Sequence, residues 1–364
     1  MQIFKIKKQN ISFFLVIFYI ILACIFFYLV VNPLQDTEKI WIGADTGNYV
    51  EYSKLLSENE ELLTISSNLL GPIFILRMVN HNYDLILFIN CFLFFLSYIL
   101  VRNNFKIDEQ KFILLLLMNP MLFISLVSIN KEIFGLFSIT LLACFLKNKN
   151  ILYIILSLIT SILVRWQQSV VIILVFFMTD KIYVYRDKKI LNLLFMIVII
   201  SVIYPSFISP IINQVMDFET LNSQQDKAFG LSILLNELQD RYMFFVAVVP
   251  KILISYFGNI IKVFTFPIET LKLLIEPESV NIENIYNTYI IVGHQISMLI
   301  LLFIFSKNII QNRVKFNNIS DNIFLCGVYS ILYSLGLAIQ YRYFFPIYIL
   351  FCLEISQKKH LITK

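Results

Sequence analysis

The chain has 364 residues, of which 59% are hydrophobic and only 15% charged, and its mean hydropathy is +0.78. A water-soluble domain keeps an apolar share of roughly half and a charged share of roughly a quarter, so this composition excludes one and indicates a polytopic membrane protein. The net charge of +5 does not indicate nucleic-acid binding, because the basic residues lie in short breaks between apolar runs.

The first uncharged run, 11–31, extends roughly 31 Å as a helix, enough for a hydrocarbon core of about 30 Å. Lys5, Lys7 and Lys8 precede it as they would a secretory signal. The run is nevertheless longer than a signal's apolar core and lacks a small-x-small cleavage site, so a retained first helix is expected. An acidic first loop follows at 32–68, and its GADTGNYVEYSKLL stretch predicts a helix along the membrane surface. Asp45 stands at the cap, and Tyr49 and Tyr52 suit the interface. The short NLLGPIFILRM segment, 68–78, carries Gly-Pro and Arg77 and reads as a re-entrant or interfacial helix. Further apolar runs occupy 83–101, 112–128, 133–146, 151–164, 169–179, 190–208, 287–306, 321–338 and 344–356. The longer region 209–286 contains two apolar pieces interrupted by Pro250, Lys251, Lys262 and Pro267, which either cross as a pair or lie on the surface. The expected fold is an all-α transmembrane bundle of about 10 to 12 spans. No internal repeat or linker divides it, so residues 1–364 form one integral membrane domain.

Lysine and arginine mark the cytoplasmic loops. Alternate breaks carry them: Lys5 to Lys8, Arg102 to Lys111, Lys147 and Lys149, Lys181 to Lys189, Lys307 to Lys315, and Lys358 to Lys364. Both termini are therefore predicted inside. The opposite breaks, namely the first loop, SINKE at 128–132, RWQQ at 165–168, the 209–286 region and QYRYFFP at 340–346, are predicted outside. The five cysteines lie in apolar runs without paired spacing, which suggests neither a disulfide framework nor a zinc site.

The outward breaks hold the residues with chemical potential. Asp45 is either a helix cap or a carboxylate facing a cavity, where it serves as general base or metal ligand. Lys131 and Glu132 add a cation and a second carboxylate, or else pack a hairpin at the membrane surface. Arg165 and Arg342 either snorkel to lipid headgroups or offer planar forks to phosphate oxygens. Tyr49, Gln168, Arg241, His294 and Tyr341 are further candidates for substrate contact; His294 lies inside a span, where it serves either a neighbouring helix or a site. No P-loop or Rossmann fingerprint is present, which disfavours a nucleotide-sugar donor. A flippase or other transporter would place polar residues at mid-membrane and often shows related halves, and neither feature is evident here.

The outward Asp45-Thr46-x-x-Tyr49 loop, Asn119-Pro120 followed by Asn130-Lys131-Glu132, the Arg165 break and the terminal Tyr341-Arg342-Tyr343-x-x-Pro346 resemble bacterial oligosaccharide repeat-unit polymerases of the Wzy and EpsG-like type, with a GT-C-like architecture. The resemblance implies a multi-pass protein of the bacterial cytoplasmic membrane. It implies polymerisation of polyprenyl-diphosphate-linked oligosaccharides at the outer face, as for O-antigen, capsule or exopolysaccharide, alongside a chain-length regulator protein and without a cofactor. The alternative within the class is a GT-C transferase using a polyprenyl-phosphate-sugar donor. Carried onto this sequence, Arg165, Arg342 and Lys131 hold the diphosphate, Asp45 is the first choice of base and Glu132 the second. Paired acidic residues, common in the first outer loop of lipid-phosphate-sugar transferases, are missing around Asp45, which weakens a metal-dependent reading.

Overall fold

The computed structural model describes residues 8–37, 42, 45–55, 69–179, 185–210, 230–257, 282–310, 319–336 and 341–357. Within them the chain is helical, with one isolated bridge between Ile107 and Gln357. The helices are α1 (Lys8–Phe26, continued through Phe27–Val31 and Asn32–Thr37), α2 (Thr46–Leu55), α3 (Leu70–Met78), α4 (Tyr83–Asn104), α5 (Glu109–Leu117), α6 (Pro120–Val127), α7 (Glu132–Asn148) and α8 (Ile151–Ile162). After these come α9 (Trp166–Thr179), α10 (Lys189–Ile203, continued through Tyr204–Ile208), α11 (Gly230–Asp240), α12 (Phe244–Phe257), α13 (Ile282–Ile310), α14 (Asp321–Tyr333) and α15 (Phe345–Ser356).

Where described, the apolar runs of the sequence are mostly helical, with breaks at 118–119 and at the ends of the 151–164 and 321–338 runs. Ile11–Gln35, Tyr83–Asn104, Lys189–Ile208 and Tyr289–Ile310 are long and apolar enough to cross a membrane. The pair α5 and α6 makes a fifth span if its two pieces, bent by 73°, are counted as one. The expected 112–128 crossing is thus broken in the middle, for a local reason: Pro120 cannot donate to the preceding turn, and the Asn119 side chain caps the new helix by accepting from Met121 N at 3.0 Å. The carbonyl freed at Leu115 accepts from Tyr348 Oη at 2.9 Å, which satisfies a backbone group that lipid could not.

Helix α7 is buried along nearly its whole length, as expected for a helix apolar all round. Ser138 and Ser157 join it to α8, each hydroxyl donating to the other's carbonyl at 2.9 and 2.8 Å, so small residues draw the two backbones together. Pro250 and Lys251 do not break α12, which runs through both. The expected second apolar piece, up to Leu274, lies outside the described residues.

The helix ends sort into two sets. At one end Arg102 pairs with Glu109 at 3.6 Å, Lys189 pairs with Asp321 at 3.0 Å, and Lys111 Nζ donates to Ile355 O at 3.0 Å. At the other end α2 and α3 form a small cap with its own apolar cluster of Tyr49, Val50, Ile73, Leu76, Ile86 and Ile129. Gly71 seats this cap against the end of α8, since a Cβ there would fall 2.0 Å from the Leu163 carbonyl oxygen. Backbone cannot yield as a side chain does, so Gly71→Ala should cost about 1–3 kcal/mol. Thermal unfolding of variant and wild type in the same detergent checks this.

Candidate functional site

The cap end carries the outward breaks, and each is fixed locally before any meets another. In the SINKE break, Asn130 Nδ2 donates to Ser125 O at 3.1 Å and Ser128 Oγ at 2.7 Å, while Asn130 Oδ1 accepts from Glu132 N at 3.0 Å. Asn90 Nδ2 reaches across to Leu126 O and Ser128 O at 3.1 and 3.0 Å, satisfying carbonyls that the end of α6 leaves without helical donors. The turn that presents Lys131 is therefore rigid.

Glu132 opens α7, and its Oε2 accepts from Lys131 N at 3.1 Å. A carboxylate folded over the first turn is favoured by the helix dipole. This contact gives Glu132 the local packing role that the sequence left open, alongside its candidacy as a base.

Asp45 has φ 67, a left-handed conformation that Asp tolerates better than most residues. Its carbonyl accepts the first helical bond of α2, from Tyr49 N at 3.0 Å, as a cap position requires. The carboxylate is engaged elsewhere: Oδ2 lies 2.7 Å from Arg342 Nη2 and 3.5 Å from Tyr49 Oη. Thr46 fastens the same segment to the SINKE break, with Oγ1 donating to Ile129 O at 3.1 Å.

Arg165 follows the end of α8, and its guanidinium lies 3.4 Å from the centre of the Tyr343 ring. Arg342 lies 5.6 Å from the same ring, and Lys131 Nζ is 5.9 Å from the ring of Tyr49. Two arginines thus share one aromatic platform, an arrangement in which ring quadrupole and guanidinium attract. Gln168 packs beneath, its Nε2 donating to Gly135 O at 3.1 Å, and Gly135 is small because Pro346 and Gln168 stand against it.

Four separate breaks therefore bring Asp45, Lys131, Glu132, Arg165 and Arg342 to one place. Lys131, Arg165 and Arg342 are 3%, 7% and 7% exposed, and the Asp45 side chain 27%. Burial, with Arg165 and Arg342 nearby, pushes the Lys131 ammonium well below the ordinary lysine range, so the lasting positive charge of the cluster is that of the two guanidiniums, whose planar forks in a low-dielectric setting suit an anion. Burial raises the affinity of Asp45 for a proton, but the charges of Arg342, Lys131 and Arg165 and the hydrogen bond from Arg342 outweigh it, holding the carboxyl below its ordinary 3.8. Asp45 is thus ionised at neutral pH and, in this arrangement, a weak proton acceptor.

The other candidates fall elsewhere. His294 is fully buried against Asn119 at the α5–α6 break and against the Tyr348 ring, 6.5 Å away. That is the neighbouring-helix role rather than a place in the charge cluster. Arg241 is exposed and pairs at 4.0 Å with Glu237, one turn back, also outside the cluster. The side chain of Tyr341 lies outside the described residues. Among the described residues no group of three His, Cys, Asp or Glu side chains could hold a metal ion.

Two supporting parts had no signal in the sequence. Tyr343 reads there only as a neighbour of Arg342, and its stacking with Arg165 is tertiary. Lys251, which reads as an interruption, is fully buried and donates to Gln239 Oε1 and Gly336 O. Gln239 Nε2 and Tyr204 Oη in turn reach Leu335 O at 3.0 and 3.4 Å. Together they secure the carbonyl end of α14, which precedes Arg342 in the chain. Comparison with family models, curated proteins and solved structures finds no match for this chain.

Proposed function

We propose that the chain is a glycosyltransferase of the cytoplasmic membrane that polymerises polyprenyl-diphosphate-linked oligosaccharide repeat units at the outer face. The observation that carries this reading is the convergence of Asp45, Lys131, Arg165 and Arg342, from distant parts of the sequence, into one nearly enclosed cluster. Among the described residues Arg102, Lys111 and Lys189 lie at the opposite end of the bundle, and this supports an outer position for the cluster. In this reading the shorter apolar helices are additional crossings of a 10-to-12-span, GT-C-like bundle.

In the reaction, an acceptor hydroxyl oxygen bonds to the anomeric carbon of the donor glycan as the bond from that carbon to the diphosphate oxygen breaks. The electron pair leaves with polyprenyl diphosphate, where Arg342, Arg165 and Lys131 stabilise the developing charge. The hydroxyl proton passes to a carboxylate, Asp45 in preference to Glu132, whose oxygen accepts from the Lys131 amide. Two guanidiniums on one aromatic platform, with Lys131 beside them, offer contacts to both phosphates of a diphosphate, which favours it over a polyprenyl-phosphate sugar.

Purified protein in nanodiscs, given lipid-diphosphate repeat units or lipid-phosphate monosaccharide in parallel, tests the reading. Lengthened lipid-linked glycan from the first donor is expected. Product from the second donor alone overturns polymerisation, and carrier translocation without a new glycosidic bond overturns transfer.

A further inference from the structure

The side chains of Arg165, Arg342 and Lys131 are almost fully buried, while the Asp45 carboxylate that pairs with Arg342 keeps 27% of its side-chain surface exposed. Asp45 therefore stands between solvent and the positive charge, and an anion arriving from outside meets it before it meets a guanidinium. Its oxygen sits 2.7 Å from Arg342 Nη2, the distance at which a phosphate oxygen would lie. Its backbone is held at φ 67, the kind of local strain that persists where surrounding contacts fix it. Those contacts are the Thr46 bond to Ile129 O and the packing of Tyr49 beside Lys131.

We infer that Asp45 is a resident stand-in for the ligand: a diphosphate group enters by displacing the Asp45 carboxylate from Arg342, and the displaced carboxylate then becomes the proton acceptor. This rests on the reading of the cluster as a diphosphate site. The step is an exchange of ion-pair partners, with no covalent bond made or broken. It removes a tension in the mechanism, since a carboxylate held by a guanidinium is a poor base and one whose partner has turned to phosphate is a better one. It also couples the two roles, because the base becomes competent only when the leaving group is in place.

Calorimetric titration of inorganic pyrophosphate into the purified full-length protein, at one fixed ionic strength, tests the exchange. Asp45→Asn removes the competing charge without changing shape and is expected to bind pyrophosphate about tenfold more tightly than wild type. Glu132→Gln removes the same charge from a carboxylate engaged with the Lys131 amide, and less than about a threefold gain is expected there. Arg342→Ala and Arg342→Gln should both lose the binding, in the Asp45→Asn background as well. Unchanged or weaker affinity in Asp45→Asn, equal gains from both carboxylate variants, or no binding by any protein overturns the inference. Pyrophosphate carries neither sugar nor lipid. A gain in affinity in Asp45→Asn with no glycan transfer by the wild type would therefore sink polymerisation alone, and transfer by the wild type without that gain would sink the exchange alone.

Discussion

Arg342→Ala is expected to abolish polymer formation, with transfer falling on the order of 10²–10³-fold or more as a preorganised donor to the leaving group is lost. Arg342 is the residue through which the cluster is joined: it touches Asp45 at 2.7 Å and shares the Tyr343 face with Arg165. Arg342→Lys keeps the charge but not the planar fork, so partial recovery is expected, well short of wild type. Polymer ladders from membranes, with a reporter fusion to confirm insertion, provide the measurement. Ladders of normal length and amount from Arg342→Ala would refute the diphosphate role.

Asp45→Asn should also abolish transfer, by about 10²–10⁴-fold, because the amide keeps the shape of the side chain and cannot take a proton. The two losses differ in kind. Arg342→Ala should weaken donor binding, whereas Asp45→Asn should strengthen diphosphate binding while stopping the chemistry. A cap-only role makes a third pattern, with transfer retained and stability lowered by about 0.5–2 kcal/mol. Single-turnover rates measured at saturating donor separate these, and a rate within a few-fold of wild type for Asp45→Asn would remove Asp45 from the chemistry.

Much of the bundle was legible because hydrocarbon imposes a simple rule: buried backbone must bond to itself, so long apolar runs become helices. Runs such as 83–101 and 133–146 are helical for that reason. The break within 112–128 was not drawn from Asn119-Pro120, although that pair is a helix-start signal, because the apolar run continues across it. For His294 the sequence left two readings open, a neighbouring helix or a site. A polar residue in a span invites a functional reading, and here it serves Asn119 beside that break.

By itself the sequence determined that the chain is a helical membrane protein, and it placed most of the candidate side chains in the breaks between apolar runs. It could do so because both follow from local solvation: apolar side chains leave water and charged ones stay at its edge. Only the tertiary structure decided that Asp45 meets Arg342 and that Arg165 lies on Tyr343, while Arg241 and His294 stand apart. Those contacts join residues remote in the chain, and they depend on how the α2–α3 cap, the SINKE turn and the ends of α8 and α15 pack, which no local pattern encodes.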